Sequence, residues 1–192
     1  MLRRKAKTPL PDLDNGQVTW ANGAKEWLLD GEFHRIDGPA LEGVNGHTEW
    51  WIQGELHRVD GPAIEDPDGG EEWYQHDELH RVGGPAVVRA NGIRQWFQDG
   101  QPHRVDGPAV EHADGYEEWW LRGELHRENG PAKIWPRRRE EWYRHDQLHR
   151  ENGPAVESQN GIREWWLDGE KVSEAVHRLR VGKMEAPEKV SF

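Results

Sequence analysis

Hydrophobic and polar positions recur along this 192-residue chain with a period of 23 residues. A His-Arg pair and a Gly-Pro-Ala segment mark each repeat, and the glycine always follows the histidine by four residues. A fixed period of this length is typical of stacked repeats that contact only their neighbours. The chain is therefore predicted to be a tandem array, with the repeated histidines at His34, His57, His80, His103, His126 and His149.

Turn residues predict a first reversal in each repeat. Asn-Gly and Asp-Gly accept the positive φ of a tight turn, and here they separate two strand-like segments. Examples are Asn45-Gly46, between Pro-Ala-Leu-Glu and Glu-Trp, and Asn91-Gly92, between the variants Pro-Ala-Val-Val and Gln-Trp. One repeat has Trp-Pro-Arg-Arg at residues 135–138 instead, and we expect a different turn there.

A second reversal follows each tryptophan segment, as at Gln53-Gly54. In two repeats, a His-Asp pair replaces the residue-glycine pair, at 76–77 and 145–146. Two reversals in every repeat predict an all-β protein, an elongated single-layer sheet or solenoid of tandem β-hairpins.

Two aromatic columns follow the same period. The first is invariant: Trp27, Trp50, Trp73, Trp96, Trp119, Trp142 and Trp165. The next residue varies, and its aromatic members are Trp51, Tyr74, Phe97, Trp120, Tyr143 and Trp166, which we call the aromatic stripe. Neighbours in a strand point to opposite faces. The invariant tryptophans are therefore expected to pack inward with the leucine column of Leu56 and the Ile/Val column of Ile64, and the aromatic stripe to be partly exposed.

The helical period appears only near the C-terminus. A helix is predicted from the N-cap residue Ser173 to Gly182, closing the last hairpin. This gives three parts: a tail or cap over residues 1–16, seven repeats over 17–172, and a capping helix and tail over 173–192.

Charge and composition limit the classes of partner that the chain is expected to bind. The net charge of −11 opposes binding to nucleic acid or to anionic membranes. The basic start at residues 3–7 lacks the apolar stretch of a signal peptide, so we expect a cytoplasmic protein. The absence of cysteine removes disulfides and thiolate metal sites.

The segment Trp51-Ile52-Gln53-Gly54-Glu55-Leu56-His57 has the pattern Trp-x-x-Gly-x-x-His. On this hairpin period, it resembles the MORN repeat, and more closely the MORN-variant repeats of bacterial and viral proteins, over about residues 17–172. The chain departs from that family after the histidine, where Arg and then x-Asp-Gly-Pro-Ala stand instead of Gly-x-Gly. The resemblance implies a single-layer sheet of hairpins used for protein contacts, scaffolding or, in some members, lipid contact. It also hints at an antitoxin-like role, and such repeats are not themselves catalytic in that family.

The His-Arg pairs have the chemistry of a site, but their repetition favours a structural role, since one active site needs one constellation. Arg could pair with the glutamate before each tryptophan, such as Glu49, or with the aspartate two residues on, such as Asp60, or lie on an indole. The histidine could satisfy a turn carbonyl between repeats. The alternative is a ligand-binding ladder formed by Arg58, Arg81, Arg104 and Arg127.

No catalytic, cofactor or metal site is predicted. The pairs His76 with His80, and His145 with His149, have metal-like spacing, but they fall in a strand turn, where a solvated turn residue is favoured. No nucleophile elbow or phosphate loop appears in the sequence.

The aromatic stripe is the best functional candidate, because exposed aromatic rows mark recognition surfaces. The leading hypothesis is a non-enzymatic binding or scaffold protein that docks a basic protein partner, and its finer form is an inhibitor or antitoxin-like protein that neutralises that partner. The alternative is a multivalent sponge for nucleotide-like or choline-like ligands, built from Trp cages and Arg between repeats. Self-association through a sheet edge or the aromatic face is also possible.

Overall fold

The structure, a computed structural model, describes residues 15–184, and these are nearly all β, as the sequence predicts. The predicted tail at 1–16 lies outside the described residues except for its last two, and so do residues 185–192. The chain divides into two compact units. Within the described residues, unit one contains 15–81 and 86–90, and unit two contains 82–85 and 91–184.

Unit one contains twelve strands, numbered in chain order: β1 Gly16–Thr19, β2 Lys25–Leu29, β3 Glu32–Phe33, β4 Leu41–Glu42, β5 Thr48–Glu49, β6 Trp51–Ile52, β7 Glu55–Leu56, β8 Ile64–Glu65, β9 Glu71–Glu72, β10 Tyr74–Gln75, β11 Glu78–Leu79 and β12 Val87–Val88. Its sheet runs in the order β1, β2, β4, β5, β8, β9, β12, and all neighbours are antiparallel. The strands β6 with β7, and β10 with β11, form separate small hairpins, while β3 pairs with β2.

Unit two contains the other strands and the helix: β13 Arg94–Gln95, β14 Phe97–Gln98, β15 Gln101–Pro102, β16 Val110–Glu111, β17 Glu117–Glu118, β18 Trp120–Leu121, β19 Glu124–Leu125, β20 Lys133–Trp135, β21 Arg139–Glu141, β22 Tyr143–Arg144, β23 Gln147–Leu148, β24 Val156–Ser158, β25 Arg163–Leu167, β26 Glu170–Val172 and α1 Glu174–Met184. Its sheet runs β13, β16, β17, β20, β21, β24, β25, β26. Three small hairpins pair β14 with β15, β18 with β19, and β22 with β23.

The first reversal of each repeat is a β-turn that ends in a residue with positive φ. In the repeat of Gly46, the Gly46 N–H donates to the Gly43 carbonyl at 3.1 Å, and the φ of Gly46 is 92°. Asn45 accepts the N–H of His47 at its side-chain oxygen, which fixes the bend. The glycine supplies the left-handed conformation, and the preceding Asn or Asp supplies the acceptor.

The turn at 135–138 is of the same kind, so the prediction of a different turn was wrong. The Arg138 N–H donates to the Trp135 carbonyl at 3.0 Å, and Arg138 takes the glycine's place with a φ of 52°. Pro136 is favourable at the second position of such a turn. A non-glycine residue in this region costs about 1 kcal/mol, which the two flanking strands must offset.

The second reversal is a two-residue turn with positive φ at both positions, as in type I′ hairpins. Gln53 and Gly54 have φ values of 52° and 78°, and His76 and Asp77 have 51° and 62°. The His-Asp pair therefore adopts the same turn without a glycine.

The passage from the sheet to a small hairpin is marked by five of the invariant tryptophans: Trp50, Trp73, Trp96, Trp119 and Trp142. The Trp50 N–H donates to the Ala63 carbonyl at 2.7 Å, and its own carbonyl accepts the His57 N–H at 3.0 Å. The alanine of each Gly-Pro-Ala segment forms the thin core and has no exposed surface: Ala40, Ala63, Ala86, Ala109, Ala132 and Ala155.

The sequence analysis placed the leucine and Ile/Val columns on the same face as the invariant tryptophans, and this prediction was wrong. Leu56 lies directly opposite Trp51 in the β6–β7 hairpin, and Ile64 lies opposite Glu49 in the sheet. The indole of Trp51 bonds to Glu49, so leucine, isoleucine and the aromatic stripe share one face. The invariant tryptophan stacks instead on an arginine. Strict alternation fails because the strand breaks at Trp50, between β5 and β6.

The helix α1 begins as predicted and ends later. The Val176 N–H donates to the hydroxyl of Ser173 at 3.3 Å, as an N-cap requires. The helix continues through Gly182 to Met184, so the predicted glycine stop was wrong. His177 is 3% exposed and its Nε2 donates to the Arg150 carbonyl at 2.7 Å, which attaches the helix to the preceding repeat.

Candidate functional site

The repeated arginine lies over the invariant tryptophan of its own repeat. In each pair, the guanidinium carbon is 3.7 to 4.0 Å from the centre of the indole ring, which is close cation–π contact. The pairs are Arg35 on Trp27, Arg58 on Trp50, Arg81 on Trp73, Arg104 on Trp96, Arg127 on Trp119 and Arg150 on Trp142. Stacking on an indole, one of the three arrangements that the sequence allowed for the arginine, is thus present in six repeats.

The glycine of Gly-Pro-Ala closes the other side of the guanidinium. A Cβ atom built on Gly107 would lie 2.5 Å from the Cζ of Arg104. Such contacts do not occur in folded proteins, so the arginine fits only against a glycine. This explains the invariant residue by close approach, since the φ of Gly107 is not positive.

Hydrogen bonds hold the guanidinium in its place over the ring. Arg104 donates to the Pro108 carbonyl at 3.1 Å, to Asp106 at 3.1 Å and to Glu111 at 2.7 Å. The expected aspartate is confirmed at Arg35, Arg58 and Arg104. The expected glutamate was wrong, because the partner is the acid seven residues after the arginine and not the one before the tryptophan.

Arg127 departs from this pattern. Asn129 and Ile134 occupy the places of the two acids. Its guanidinium still lies over the indole of Trp119 and still donates to the Pro131 carbonyl at 3.0 Å. Within residues 15–184, however, no carboxylate is bonded to it. Burial lowers the pKa of Arg127, and the negative charge of Glu117 offsets this only in part.

The histidines link each repeat to the next. Nδ1 accepts the backbone N–H of the first turn residue 19 positions later, at 3.0 to 3.3 Å. The donors to His34, His57, His103, His126 and His149 are, in order, Gln53, His76, Arg122, His145 and Asp168. The prediction of a link between repeats is confirmed, but the polarity was wrong, since the ring accepts an N–H and does not donate to a carbonyl.

His57 must be neutral to accept this bond. Burial lowers the pKa of His57, and the neighbouring His76, with its ring centre 4.3 Å away, lowers it further. Folding depresses the pKa of this histidine, so its contribution to stability is fully present at a pH above the unfolded pKa, near 6.5. This contribution is lost as the pH falls from there toward the folded pKa.

The two His-Asp turns bind the hairpin before them. His76 Nδ1 lies 2.8 Å from a carboxylate oxygen of Glu55, and the Asp77 side chain accepts the Leu56 N–H at 2.7 Å. His145 and Asp146 repeat both contacts. Over residues 15–184, no cluster of three or more His, Asp or Glu side chains is arranged to hold a metal ion.

The aromatic stripe is half-buried, and its polar ends are bonded. The indole N–H groups of Trp51, Trp120 and Trp166 donate to the glutamate two residues earlier. Tyr74 and Tyr143 donate to their glutamates in the same way, and burial together with these carboxylates raises the pKa of both phenols to about 12. Phe97 cannot donate, and glutamine replaces glutamate before it, at Gln95. The stripe thus has a structural role in each hairpin, and its role in binding stays a prediction.

Exposed aliphatic side chains recur at one position of the repeat, which the sequence analysis missed. They follow the arginine directly, are 71% to 80% exposed, and are Ile36, Val59, Val82 and Val105. In three of these loops, the next residue is an aspartate whose side chain is 86% to 88% exposed: Asp37, Asp60 and Asp106. The sequence signal was present, because this position is Ile or Val in four repeats and Glu in the next two.

Comparisons with known proteins give no indication of function for this chain. No family model matches the chain, and no curated protein matches it. Within the part of the chain that the structure describes, no helix has the length and apolar character needed to cross a membrane.

Proposed function

We propose that this chain is a non-enzymatic, cytoplasmic repeat protein that binds a basic protein partner through its exposed aliphatic loops. Ile36 and Val59 supply this chemistry in unit one, and Val82 and Val105 supply it in unit two. An aliphatic side chain with most of its surface in water gains free energy when a partner covers it.

The loop chemistry also indicates the charge of the partner. Each aliphatic residue except Val82 is followed by an exposed aspartate. The net charge of −11 extends the same preference to long range. A partner with apolar residues inside a basic rim fits both properties. An inhibitor or antitoxin-like protein that covers such a surface is the version of this function that the MORN resemblance favours.

The other candidates have weaker support. A multivalent ligand sponge needs free guanidinium groups, whereas Arg58 and Arg104 each bond to two carboxylates. Docking on the aromatic stripe would have to compete with its bonds to Glu49, Glu118 and Glu164. Replacing those tryptophans with alanine would therefore damage the fold as well as any interface.

Affinity capture from the native host tests the proposal. The loop variant carries Ile36→Ser, Val59→Ser, Val82→Ser and Val105→Ser, all at exposed positions. We expect the wild-type chain to retain a basic protein in a fixed ratio and the loop variant to lose it, with weaker capture at high salt.

A control variant, Ala90→Ser with Ala113→Ser, changes exposed turn residues outside these loops. It should retain the partner as the wild type does. Equal capture by the loop variant and the wild type would contradict the proposal, and capture of a second copy of the chain in place of a basic protein would redirect it to self-association.

A further inference from the structure

We propose that Arg127 and the groove beside it form a binding site for a carboxylate group. The groove lies in unit two, between the loop of Arg127 and the loop of Arg150, and has a volume of about 460 Å³. This site would take a ligand of the opposite charge to the partner of the aliphatic docking loops.

Another repeat of the chain shows which chemical group the guanidinium binds. At Arg104, Nε donates to the carboxylate of Asp106, which is 87% exposed. Asn129 replaces this acid beside Arg127, and the Nε of Arg127 has no partner among the described residues. Because the vacated place lies at the protein surface in the other repeat, a carboxylate from solution can reach it.

The guanidinium of Arg127 is already held for such a ligand. The indole ring of Trp119 lies 3.7 Å from its Cζ, and the Pro131 carbonyl accepts one of its terminal amino groups. These contacts leave the Nε edge fixed and open, so a ligand does not have to order the side chain. A charged donor in a partly buried place binds a carboxylate more strongly than one in water.

A buried histidine in the same groove has a ring nitrogen without a hydrogen bond. His149 is 7% exposed, and its Nδ1 lies 3.0 Å from the backbone nitrogen and 2.9 Å from a carboxylate oxygen of Asp168. Its Nε2 is buried and makes no hydrogen bond, although an oxygen of Glu151 lies 3.4 Å away. A buried polar atom without a partner is rare and indicates a missing partner.

The remaining charges of the groove favour an anion. Arg144 and Arg150 also line it, paired with Asp168 and Glu157 respectively. Asn152 replaces the aspartate that would have bonded to the Nε of Arg150. Of the two acids in the lining, Glu128 lies 3.0 Å from His126, and Glu151 lies 3.4 Å from Arg144. Both carboxylates are thus turned toward cationic or donor groups of the protein.

Nuclear magnetic resonance of the arginine Nε–H groups tests the site, because it detects weak binding at a named residue. The probes are glutarate and a short peptide with two adjacent glutamates, against sodium chloride at matched ionic strength. We expect a saturable shift at Arg127 and none at Arg104, whose equivalent place Asp106 fills. Tighter binding of the peptide identifies an acidic polypeptide as the source, and equal affinity identifies a small carboxylate.

The decisive variant is Asn129→Asp, which restores the internal carboxylate that other repeats carry and so should fold. It should weaken binding about tenfold or more, since the ligand must displace a charge-assisted hydrogen bond. The matched variant Asp106→Asn should make Arg104 respond to the same probes. The proposal is overturned if Arg127 does not saturate, or if the Asn129→Asp variant titrates like the wild type. Because Asn129→Asp changes none of the aliphatic loop residues or their aspartates, its result is independent of the proposed protein partner.

Discussion

At the scale of single residues, the repeat depends on one arginine held between an indole and a glycine. Arg104 lies on Trp96 and against Gly107, and its edge is bonded to Asp106 and Glu111. A flat cation with several donors can make all these contacts at once, whereas the ammonium of lysine can make only some of them. The His-Arg pair, which has the appearance of a catalytic dyad, is therefore a structural feature of each repeat.

Replacing Gly107 with alanine should destabilise the protein by about 1–3 kcal/mol, because the new Cβ would displace the Arg104 guanidinium from its place. Urea denaturation measures the change in the free energy of unfolding. A double-mutant cycle with Arg104→Ala provides the control. If Gly107→Ala had the same effect with and without the arginine, the glycine would be needed for another reason.

At the scale of elements, neighbouring hairpins are joined by bonds between a side chain and the backbone. A histidine accepts the turn N–H of the next repeat, and a His-Asp turn adds an aspartate that accepts an N–H of the preceding hairpin. Asp77 and Asp146 thus replace a glycine in a left-handed position and supply a bond that glycine cannot make.

Asp77→Ala and Asp77→Asn separate these two effects. Alanine loses the acceptor for the Leu56 N–H and is strained at a φ of 62°, so we expect a loss of about 1–3 kcal/mol in stability. Asparagine keeps an acceptor oxygen and tolerates this conformation, and it should remain within about 0.5 kcal/mol of the wild type. Thermal denaturation of both variants measures the difference, and equal losses would show that the side-chain bond contributes nothing.

The sequence predicts the period, the turns of the repeats other than the one at 135–138, and the start of the helix, because glycine, proline and Asx residues act locally. It does not predict which side of the sheet Leu56 occupies, since alternation cannot be counted across the strand break at Trp50. The acid that binds Arg104 was also missed, because Glu111 is brought to it by folding and not by sequence proximity. The exposure of Val105 was missed although it could have been inferred, because glutamate occupies its position in two other repeats.

At the scale of the whole molecule, repeats hold one another through contacts between neighbours, so stability is expected to be local. The helix α1 illustrates this, because His177 bonds it to the Arg150 carbonyl of the preceding repeat. An opening at one end of the chain therefore need not open the other end.

His177→Ala tests this locality by hydrogen exchange. It removes a buried side chain and leaves the Arg150 carbonyl without its donor, at a cost of about 1–3 kcal/mol, and should accelerate exchange in the last repeat and the helix. Amides of unit one should exchange as in the wild type. Leu179→Ala, at a side chain 66% exposed on the same helix, is the control and should change little. Faster exchange throughout the chain would show that the protein opens as one body.

The arginine sandwich also has a consequence for how such a chain can change in length over evolution. Its tryptophan, arginine, glycine, proline and glutamate all lie within 16 consecutive residues, as from Trp96 to Glu111. A duplication of 23 residues would copy the whole set intact, whereas a shift of one residue would separate its members. Copy number can thus vary freely while spacing cannot, and the unbroken register of six His-Arg pairs fits inheritance by whole units.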